Sequence, residues 1–419
     1  MKNLLETIHN RLNLNQNNLL TIDLFDEFLK ENGIAISDTR IKPLRTYIKN
    51  ATEFISLQPK MDALYTGTNE QFIQRLLEKK LIIPEFSFFR DHIEEISKEV
   101  QSNCNGKVAD YIPELKNIDP NQFAVSICTV DGQVFDFGDH ETDFCLQSTA
   151  KPINYAIALE SQGETYVHKH IGREPSGKRF NEVTLNDRGL PHNPLINAGG
   201  MMCCALIEPE CSPSLRLDAI TKVWQQLTRR KPLVYDSAVY KSEKITAHRN
   251  YALAHLMEEV KAFPCDTDLE ETVDLYIKTC SLKVNTANLA SAAAVIANGG
   301  ICPFTHKHIF SNTTIKDCLT MMSFCGMYDF SGEFAFKVGI PAKSGVSGAV
   351  MLIIPNLMGI TIWSPNLDNF GNSVRGVEFA HKLTERFNFH NFDSLIGNCP
   401  KINPRIRKKT SKVKESITN

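Results

Sequence analysis

A serine and a lysine stand three residues apart, at Ser148 and Lys151. On a helix, residues i and i+3 lie on the same face, so the hydroxyl and the amine would converge. A neutral lysine can take the serine proton and make the hydroxyl a nucleophile. Burial can keep a lysine neutral, because desolvation lowers its pKa by up to several units. At a helix N-terminus, the unpaired N–H of Ser148 and the helix dipole would also favour a negative oxygen.

A second motif, Lys343-Ser344-Gly345, precedes an apolar strand in the last third of the chain. Ser-x-x-Lys alone is also typical of a capped helix, and Lys-Ser-Gly alone of a strand-entry turn. Together and in this order they are the arrangement of serine β-lactamases and penicillin-binding proteins. Gly345 would let a ligand approach the strand backbone closely. The N–H groups of Ser148 and Val346 could then form an oxyanion hole, in which each donor contributes about 10²–10³ in rate.

Hydrophobic periodicity predicts the elements that position these motifs. The apolar run Phe123–Val130 and Gln133–Phe137 are joined by Asp131-Gly132, which predicts a hairpin. We expect a helix to open at Ser148 and residues 160–320 to be mostly helical. The remaining predictions are three strands and a final helix, at Phe334–Val338, Gly348–Ile354, Gly359–Trp363 and Ser373–Arg386. Hairpins imply an antiparallel sheet, so the predicted fold class is α+β, an antiparallel sheet with a helical subdomain.

Apolar positions three or four apart predict an all-helical N-terminal module, with helices at Leu4–Leu14, Ile22–Glu31, Ile41–Ala51, Glu70–Lys80 and Ile93–Val100. Paired helices suggest an EF-hand-like module. No Asp-x-Asp-x-Asp-Gly loop is present, so we expect docking or oligomerisation rather than calcium binding. The predicted domains are this module over residues 1–103, a catalytic domain over 104–400, and a basic disordered tail over 401–419.

Composition and pattern argue against several function classes. The 419 residues are 42% hydrophobic and 22% charged, which is typical of a globular protein. The net charge of −2 gives no reason to expect a nucleic-acid partner. No apolar stretch is long enough to span a bilayer, and no targeting segment is visible at the N-terminus. There is no P-loop, dinucleotide fingerprint or typical metal-binding His spacing, so we expect no cofactor and no metal.

Eight ordered segments resemble one known family: FAVSICTVDGQ, FCLQSTAKP, REPSGKRFNE, PHNPLINAGG, IANGGICP, GMYDFSGEFAF, PAKSGVSG and LDNFGNSVRG. They are similar to those of the serine-dependent, β-lactamase-type glutaminases, in particular the animal kidney and liver type. The resemblance is dense over residues 105–400 and looser over the N-terminal module. It implies hydrolysis of L-glutamine to L-glutamate and ammonia.

The resemblance also implies a role for each matching residue. Ser148 resembles the nucleophile, Lys151 its base partner, and Tyr328 the tyrosine that moves protons between the serine, the lysine and the leaving ammonia. The oxyanion hole would be formed by the N–H groups of Ser148 and Val346. The implied substrate-binding set comprises Tyr111, Ser148, Asn197, Glu243, Asn250, Tyr276, Tyr328 and Val346.

These implied roles are chemically consistent. Glu243 can neutralise the substrate ammonium, while Asn and Tyr donors hold the α-carboxylate. A site that pairs both charged groups would reject simple amides, because its own polar groups would be left unpaired.

Two stretches depart from the family pattern. Ile245, Ala247 and His248 stand between Glu243 and Asn250, where a more acidic stretch is expected. In the loop that resembles the link between the site and the subunit contacts, Glu182 replaces a base. By family analogy we expect a homo-oligomer, specifically a tetramer, with activation by phosphate. The expected location is intracellular, either mitochondrial or cytoplasmic.

Two other interpretations stay open at this stage. One keeps the fold but changes the substrate, as in a β-lactamase or peptidase; the lack of a visible secretory signal argues against it. The other is a non-catalytic scaffold derived from an enzyme. Against that interpretation, every expected catalytic position carries a matching residue.

Overall fold

The computed structural model describes residues 21–50, 68–177, 182–228, 233–395 and 399–407. The predicted helix Leu4–Leu14 and residues 408–419 of the predicted tail lie outside the described residues. The chain divides into two compact units, Met1–His92 with Lys401–Asn419, and Ile93–Pro400. None of the described helices is long and apolar enough to cross a membrane.

Amphipathic helices form the first unit. Helices α1, α2 and α3 span Ile22–Glu31, Lys42–Asn50 and Thr68–Leu77, and α4 follows at Phe86–Gln101. The side chain of Thr21 caps α1 by accepting the Leu24 N–H at 3.3 Å. One apolar core joins the first three helices, and its larger members include Phe25, Phe28, Leu29, Leu44, Ile48, Phe72 and Leu76. The predicted helical character of this segment is therefore confirmed for its described residues.

An antiparallel sheet of five strands lies at the centre of the second unit. In chain order, strands β1 to β7 span Ala124–Thr129, Val134–Gly138, Phe144–Cys145, Lys283–Val284, Ala342–Ser344, Ala349–Ile354 and Met358–Trp363. The strands of the five-stranded sheet occur in the order β2-β1-β7-β6-β5. Strands β1 and β2 form the predicted hairpin around Asp131-Gly132, and β6 and β7 form a second hairpin. A separate pair, β3 with β4, is also antiparallel.

Helices cover both faces of this sheet, which confirms the α+β class. Helix α13, Thr286–Ala297, contacts β1, β6 and β7, and helix α16, Val374–Arg386, contacts β6 and β7. Because side chains alternate along β6, Ile353 joins the core on the α13 side, while Val350 meets Gly376 of α16. In chain order, α5 to α16 span Pro113–Lys116, Lys151–Gln162, Glu164–His170, Asn197–Leu206, Pro213–Thr228, Ser237–Thr246, His248–Glu259, Leu269–Cys280, Thr286–Ala297, Asn312–Cys325, Ser331–Lys337 and Val374–Arg386.

One predicted strand is wrong. Residues Phe334–Val338 belong largely to helix α15, not to a strand. In a strand, Phe334, Phe336 and Val338 would share one face. Phe334 and Val338 are buried, whereas Phe336 between them is 81% exposed, as the four-residue period of a helix requires.

The helix start at Ser148 is also displaced. Ser148 lies in a 3₁₀ turn, Gln147–Ala150, and the α-helix α6 begins at Lys151. Pro152 therefore falls in the first turn of α6, where its missing N–H costs no hydrogen bond. Hydrophobic periodicity does not distinguish the 3₁₀ turn from the α-helix that follows it. The sequence therefore could not predict where one changes into the other.

We predict that Gly359→Ala destabilises the protein. A Cβ at position 359 of β7 would lie 2.4 Å from the backbone of Ala293 in α13, and backbone cannot move aside easily. Overpacking of this kind costs about 1–3 kcal/mol. A thermal unfolding series should show a lower midpoint for Gly359→Ala. The matched control is Gly332→Ala in α15, where nothing lies within 4 Å of the added carbon. Equal midpoints for the two variants would contradict this packing account.

Candidate active site

The 3₁₀ turn before α6 brings Ser148 and Lys151 into direct contact. Lys151 Nζ lies 2.6 Å from Ser148 Oγ. Both residues are buried, with 6% and 2% of their surface exposed. Burial lowers the pKa of Lys151, and the neighbouring thiols of Cys280 and Cys204 oppose this shift. The amine is thus placed to accept the serine proton, since a buried lysine loses its own proton more readily.

Helices α8 and α12 form the wall around the lysine. A Cβ at Gly200 of α8 would lie 3.0 Å from Lys151 Cε and 2.9 Å from Tyr276 Cε2. The Lys151 amine lies 5.3 Å from the centre of the Tyr276 ring. Any side chain at position 200 would therefore push the lysine or the tyrosine aside, so the glycine allows this close packing.

Two residues of the site have left-handed backbone conformations. Gln147, directly before the serine, has φ of 48°, and Tyr328 has φ of 55°. Such values are found in only a few per cent of residues other than glycine, and they concentrate at functional sites. The surrounding packing must hold these conformations, at a cost of about 1–3 kcal/mol each.

Tyr328 and the Lys-Ser-Gly strand β5 adjoin the serine. The Tyr328 hydroxyl donates to the Ser344 carbonyl at 3.0 Å. Burial raises the pKa of Tyr328, whereas hydrogen bonds to Ser148 and Ser344 lower it. Lys343 Nζ donates to the carbonyls of Ser344 at 2.7 Å and Gly326 at 3.2 Å, and lies 4.5 Å from the centre of the Tyr328 ring. Lys343 thereby links the backbone just before Tyr328 to the carbonyl that the tyrosine hydroxyl contacts.

Gly345 also has a structural role that the sequence did not indicate. A Cβ there would lie 3.1 Å from the Leu146 carbonyl oxygen and 3.2 Å from Thr149 Cγ2. The glycine thus lets the end of β5 approach the turn that carries Ser148, and the close approach of a ligand stays a prediction. Ser148 and Val346 line the same cavity, and in the described part of the chain the backbone N–H of neither residue donates to a protein acceptor.

A cavity of about 480 Å³ lies in front of Ser148. It is lined by every residue of the predicted substrate set except Tyr328: Tyr111, Ser148, Asn197, Glu243, Asn250, Tyr276 and Val346. Lys151 and Tyr328 contact Ser148 but are not part of the lining. The structure therefore brings all the predicted site residues to one place, although they come from widely separated parts of the chain.

Polar groups of two kinds occupy the cavity away from the serine. Glu243 Oε1 accepts hydrogen bonds from the Tyr111 hydroxyl at 2.6 Å and from Gln147 Nε2 at 2.8 Å. Burial raises the pKa of Glu243, and these two donors counteract it. The Tyr276 hydroxyl donates to Asn197 Oδ1, and Asn197 Nδ2 donates to Asn250 Oδ1, both at 3.1 Å. One group carries a carboxylate, and the other is neutral with amide and phenol groups.

Sequence reasoning missed three contributors to this site. Gln147 holds Glu243, yet its only signal was its position directly before Ser148. Arg249 lines the cavity beside His248, in the stretch that departs from the family pattern. Lys343 was recognised as part of a motif but not as a support for Tyr328. In the described ranges, no group of three or more His, Cys, Asp or Glu is placed to hold a metal ion.

The sheet, the Ser-x-x-Lys turn and the adjoining Lys-Ser-Gly strand define a protein of the serine β-lactamase-like class. The family model described as Glutaminase matches residues 106–392. The chain therefore belongs to the glutaminase family.

Individual relatives agree with this assignment. A putative glutaminase 3 from Caenorhabditis elegans is 42% identical over 391 residues, which cover 91% of this chain and 67% of the relative. The mitochondrial liver isoform of glutaminase from Mus musculus is 39% identical over 400 residues, covering 93% and 66%. The solved structure of a probable glutaminase superposes with a TM-score of 0.69 at 35% identity, covering 72% and 97%. This chain spans about two-thirds of the length of the two animal relatives.

Proposed function

We propose that this protein hydrolyses the side-chain amide of L-glutamine to give L-glutamate and ammonia. The observation that carries the proposal is the 2.6 Å contact between Lys151 and Ser148 at a cavity that also contains Glu243 and the Asn197–Asn250 pair. Membership of the glutaminase family supports the choice of substrate. A serine with a neutral amine as base is suited to acyl transfer.

The first half of the reaction forms a glutamyl ester. Ser148 Oγ attacks the amide carbon while its proton passes to Lys151. The N–H groups of Ser148 and Val346 stabilise the developing oxyanion. Tyr328 passes its proton to the leaving nitrogen and takes one back from the protonated Lys151, so that the C–N bond breaks, ammonia departs and the lysine is neutral again. Lys343 keeps the tyrosine in place through the carbonyls of Gly326 and Ser344.

The second half releases the product. Water attacks the ester carbon, and the same base accepts its proton. The tetrahedral intermediate collapses, the bond to Ser148 Oγ breaks, and the serine recovers a proton from Lys151. L-Glutamate leaves the cavity. No group beyond the chain's own residues and one water molecule is needed to balance these steps.

Substrate choice follows from the two polar groups of the cavity. Glu243, held by Tyr111 and Gln147, pairs with the α-ammonium, because an ionic hydrogen bond is stronger than a neutral one. Asn197, Asn250 and Tyr276 hold the α-carboxylate. A substrate lacking either charged group would leave buried polar groups unpaired, which costs free energy.

The family resemblance supports further proposals about assembly and location. The protein forms a homotetramer that phosphate activates, and it acts inside the cell, in mitochondria or cytoplasm. Residues 1–103 serve as an EF-hand-like docking or oligomerisation module. L-Glutamine is the small-molecule substrate.

Replacing the nucleophile should abolish turnover. Ser148→Ala removes the attacking oxygen, so ammonia release from glutamine should fall at least about 10³-fold, as in other serine hydrolases. Ser161→Ala is the matched control: this serine lies further along α6 and only donates to the Ala158 carbonyl at 3.3 Å. Turnover by Ser148→Ala comparable to that of the control would refute the nucleophile assignment.

The rate should rise with pH. Burial lowers the pKa of Lys151 from its usual value, and only the neutral amine can accept the serine proton. As the pH increases through the lowered pKa, more of the enzyme is active, so kcat should climb from neutral to mildly alkaline pH. Measuring kcat at saturating glutamine between pH 6 and pH 9 checks this, and a flat profile would argue against lysine as the base.

Neutralising Glu243 should weaken recognition of the α-ammonium. Glu243→Gln should lower kcat/KM for glutamine about 10–100-fold, equivalent to about 1.5–3 kcal/mol for a charge-assisted contact. The effect should vanish with 5-amino-5-oxopentanoate, which lacks the α-ammonium. The control Glu258→Gln alters an exposed carboxylate that contacts only His255 at 3.3 Å. An equal loss with both substrates would remove the assignment.

A further inference from the structure

The helix that carries Glu243 has little apolar anchorage. Val239 is its one buried residue, and it joins a small cluster with Ile112, Leu115 and Cys145. Hydrophobic burial is the main force that holds most helices in place. Helix α10, Ser237–Thr246, therefore depends on polar contacts for its position.

Apart from the contacts of Glu243 and a hydrogen bond from Ser242 to Glu114 at 2.9 Å, two polar side chains of α10 converge on one carboxylate of the neighbouring helix α12. Asp274 accepts hydrogen bonds from the Tyr240 hydroxyl and from Lys244 Nζ, the latter at 2.5 Å. Lys278, one turn further along α12, adds an ion pair at 2.8 Å. We call Asp274, Tyr240, Lys244 and Lys278 the clamp. Two of its members belong to α10 and two to α12, so it fastens one helix to the other.

The clamp is a charged network that is only partly open to solvent. The side chain of Asp274 is 18% exposed, and that of Lys244 is 44% exposed. Burial alone would raise the pKa of Asp274, but its hydrogen bonds to Lys244, Lys278 and Tyr240 outweigh it and hold the pKa at about 2. Asp274 is therefore ionised at any working pH. A network of this kind stabilises more than isolated surface ion pairs, many of which contribute little.

Members of the clamp also adjoin, along the chain, one residue from each polar group of the cavity. Lys244 directly follows Glu243 on α10, and Asp274 stands two residues before Tyr276 on α12. Glu243 belongs to the polar group of the cavity that carries the carboxylate, and Tyr276 belongs to the neutral group with amides and a phenol. Fixing α10 against α12 therefore fixes the distance between the carboxylate and the Tyr276–Asn197 pair.

We propose that Asp274 is a positioning residue that sets the place of Glu243, and hence the affinity for substrates with an α-ammonium group. The proposal rests on the proposed glutamine hydrolysis. Asp274 touches neither the cavity nor Ser148, and it acts only through α10. Its removal should loosen Glu243 without disturbing the Ser148–Lys151 contact.

The test compares Asp274→Asn in two backgrounds. In the otherwise unchanged enzyme, KM for glutamine should rise about tenfold, while kcat stays within about twofold. In the Glu243→Gln background, the same substitution should have no further effect on KM, because the carboxylate it positions is gone. The KM for 5-amino-5-oxopentanoate should be unchanged by Asp274→Asn in either background.

Two further variants complete this experiment. Glu94→Gln is a matched control, because it removes another (i,i+4) ion pair, with Lys98 at 2.6 Å, on a helix away from the cavity. Its KM should equal that of the unchanged enzyme. Lys244→Met removes one hydrogen bond of the clamp and should raise the KM for glutamine about threefold. This variant replaces Asp274→Asn in the experiment if Asp274→Asn does not fold.

Two outcomes would overturn the proposal. An unchanged KM in both Asp274→Asn and Lys244→Met would show that the clamp does not position Glu243. Equal increases in KM with and without Glu243 would indicate a general structural role. Absence of ammonia release from the unchanged enzyme would instead refute glutamine hydrolysis itself, so the two failures are distinguishable.

Discussion

The site depends on one amine that the fold keeps away from water. Moving a charged ammonium into the interior costs several kcal/mol unless a partner compensates, so a buried lysine tends to become neutral. Lys151 is 2% exposed and packs against thiols, an aromatic ring and the backbone of α8. Within the described parts of the chain, its one polar side-chain contact at short range is the hydroxyl of Ser148. A neutral amine in that position both accepts the serine proton and returns it later.

The rest of the catalytic unit serves this contact. Gly200 admits the lysine stem between α8 and α12, and Gly345 brings the end of β5 to the nucleophile turn. Gln147 and Tyr328 have left-handed backbone conformations, and their side chains reach Glu243 and the Ser344 carbonyl. These features store strain, and the large buried core of the unit offsets it. The rigid core thus holds Ser148, Lys151 and Tyr328 in the geometry that proton transfer requires.

Much of the fold class and of the candidate site could be predicted from the sequence, because the residues that carry the chemistry stand in short motifs. The Ser148–Lys151 spacing, the Lys-Ser-Gly strand and the Asp-Gly hairpin each have a direct physical meaning, and the α+β class followed from them. The strand predicted at Phe334–Val338 failed because three alternating apolar residues fit a short helix equally well. Gln147 and the Asp274 clamp could not be found, because their partners lie about 30–100 residues away and only the folded chain brings them together. Roles that depend on long-range contacts leave no local pattern in a single sequence.

The charge state of Lys151 is the most direct test of this account. Carbon-13 labelling at lysine Cε, followed by NMR titration, reports the protonation of each amine. The Lys151→Arg variant identifies the Lys151 signal, and Lys343→Arg identifies the other buried amine. The account predicts that Lys151 loses its proton at a distinctly lower pH than the exposed lysines. If the Lys151 signal titrated together with those of the exposed lysines, the amine would be charged at neutral pH and could not serve as the base for Ser148.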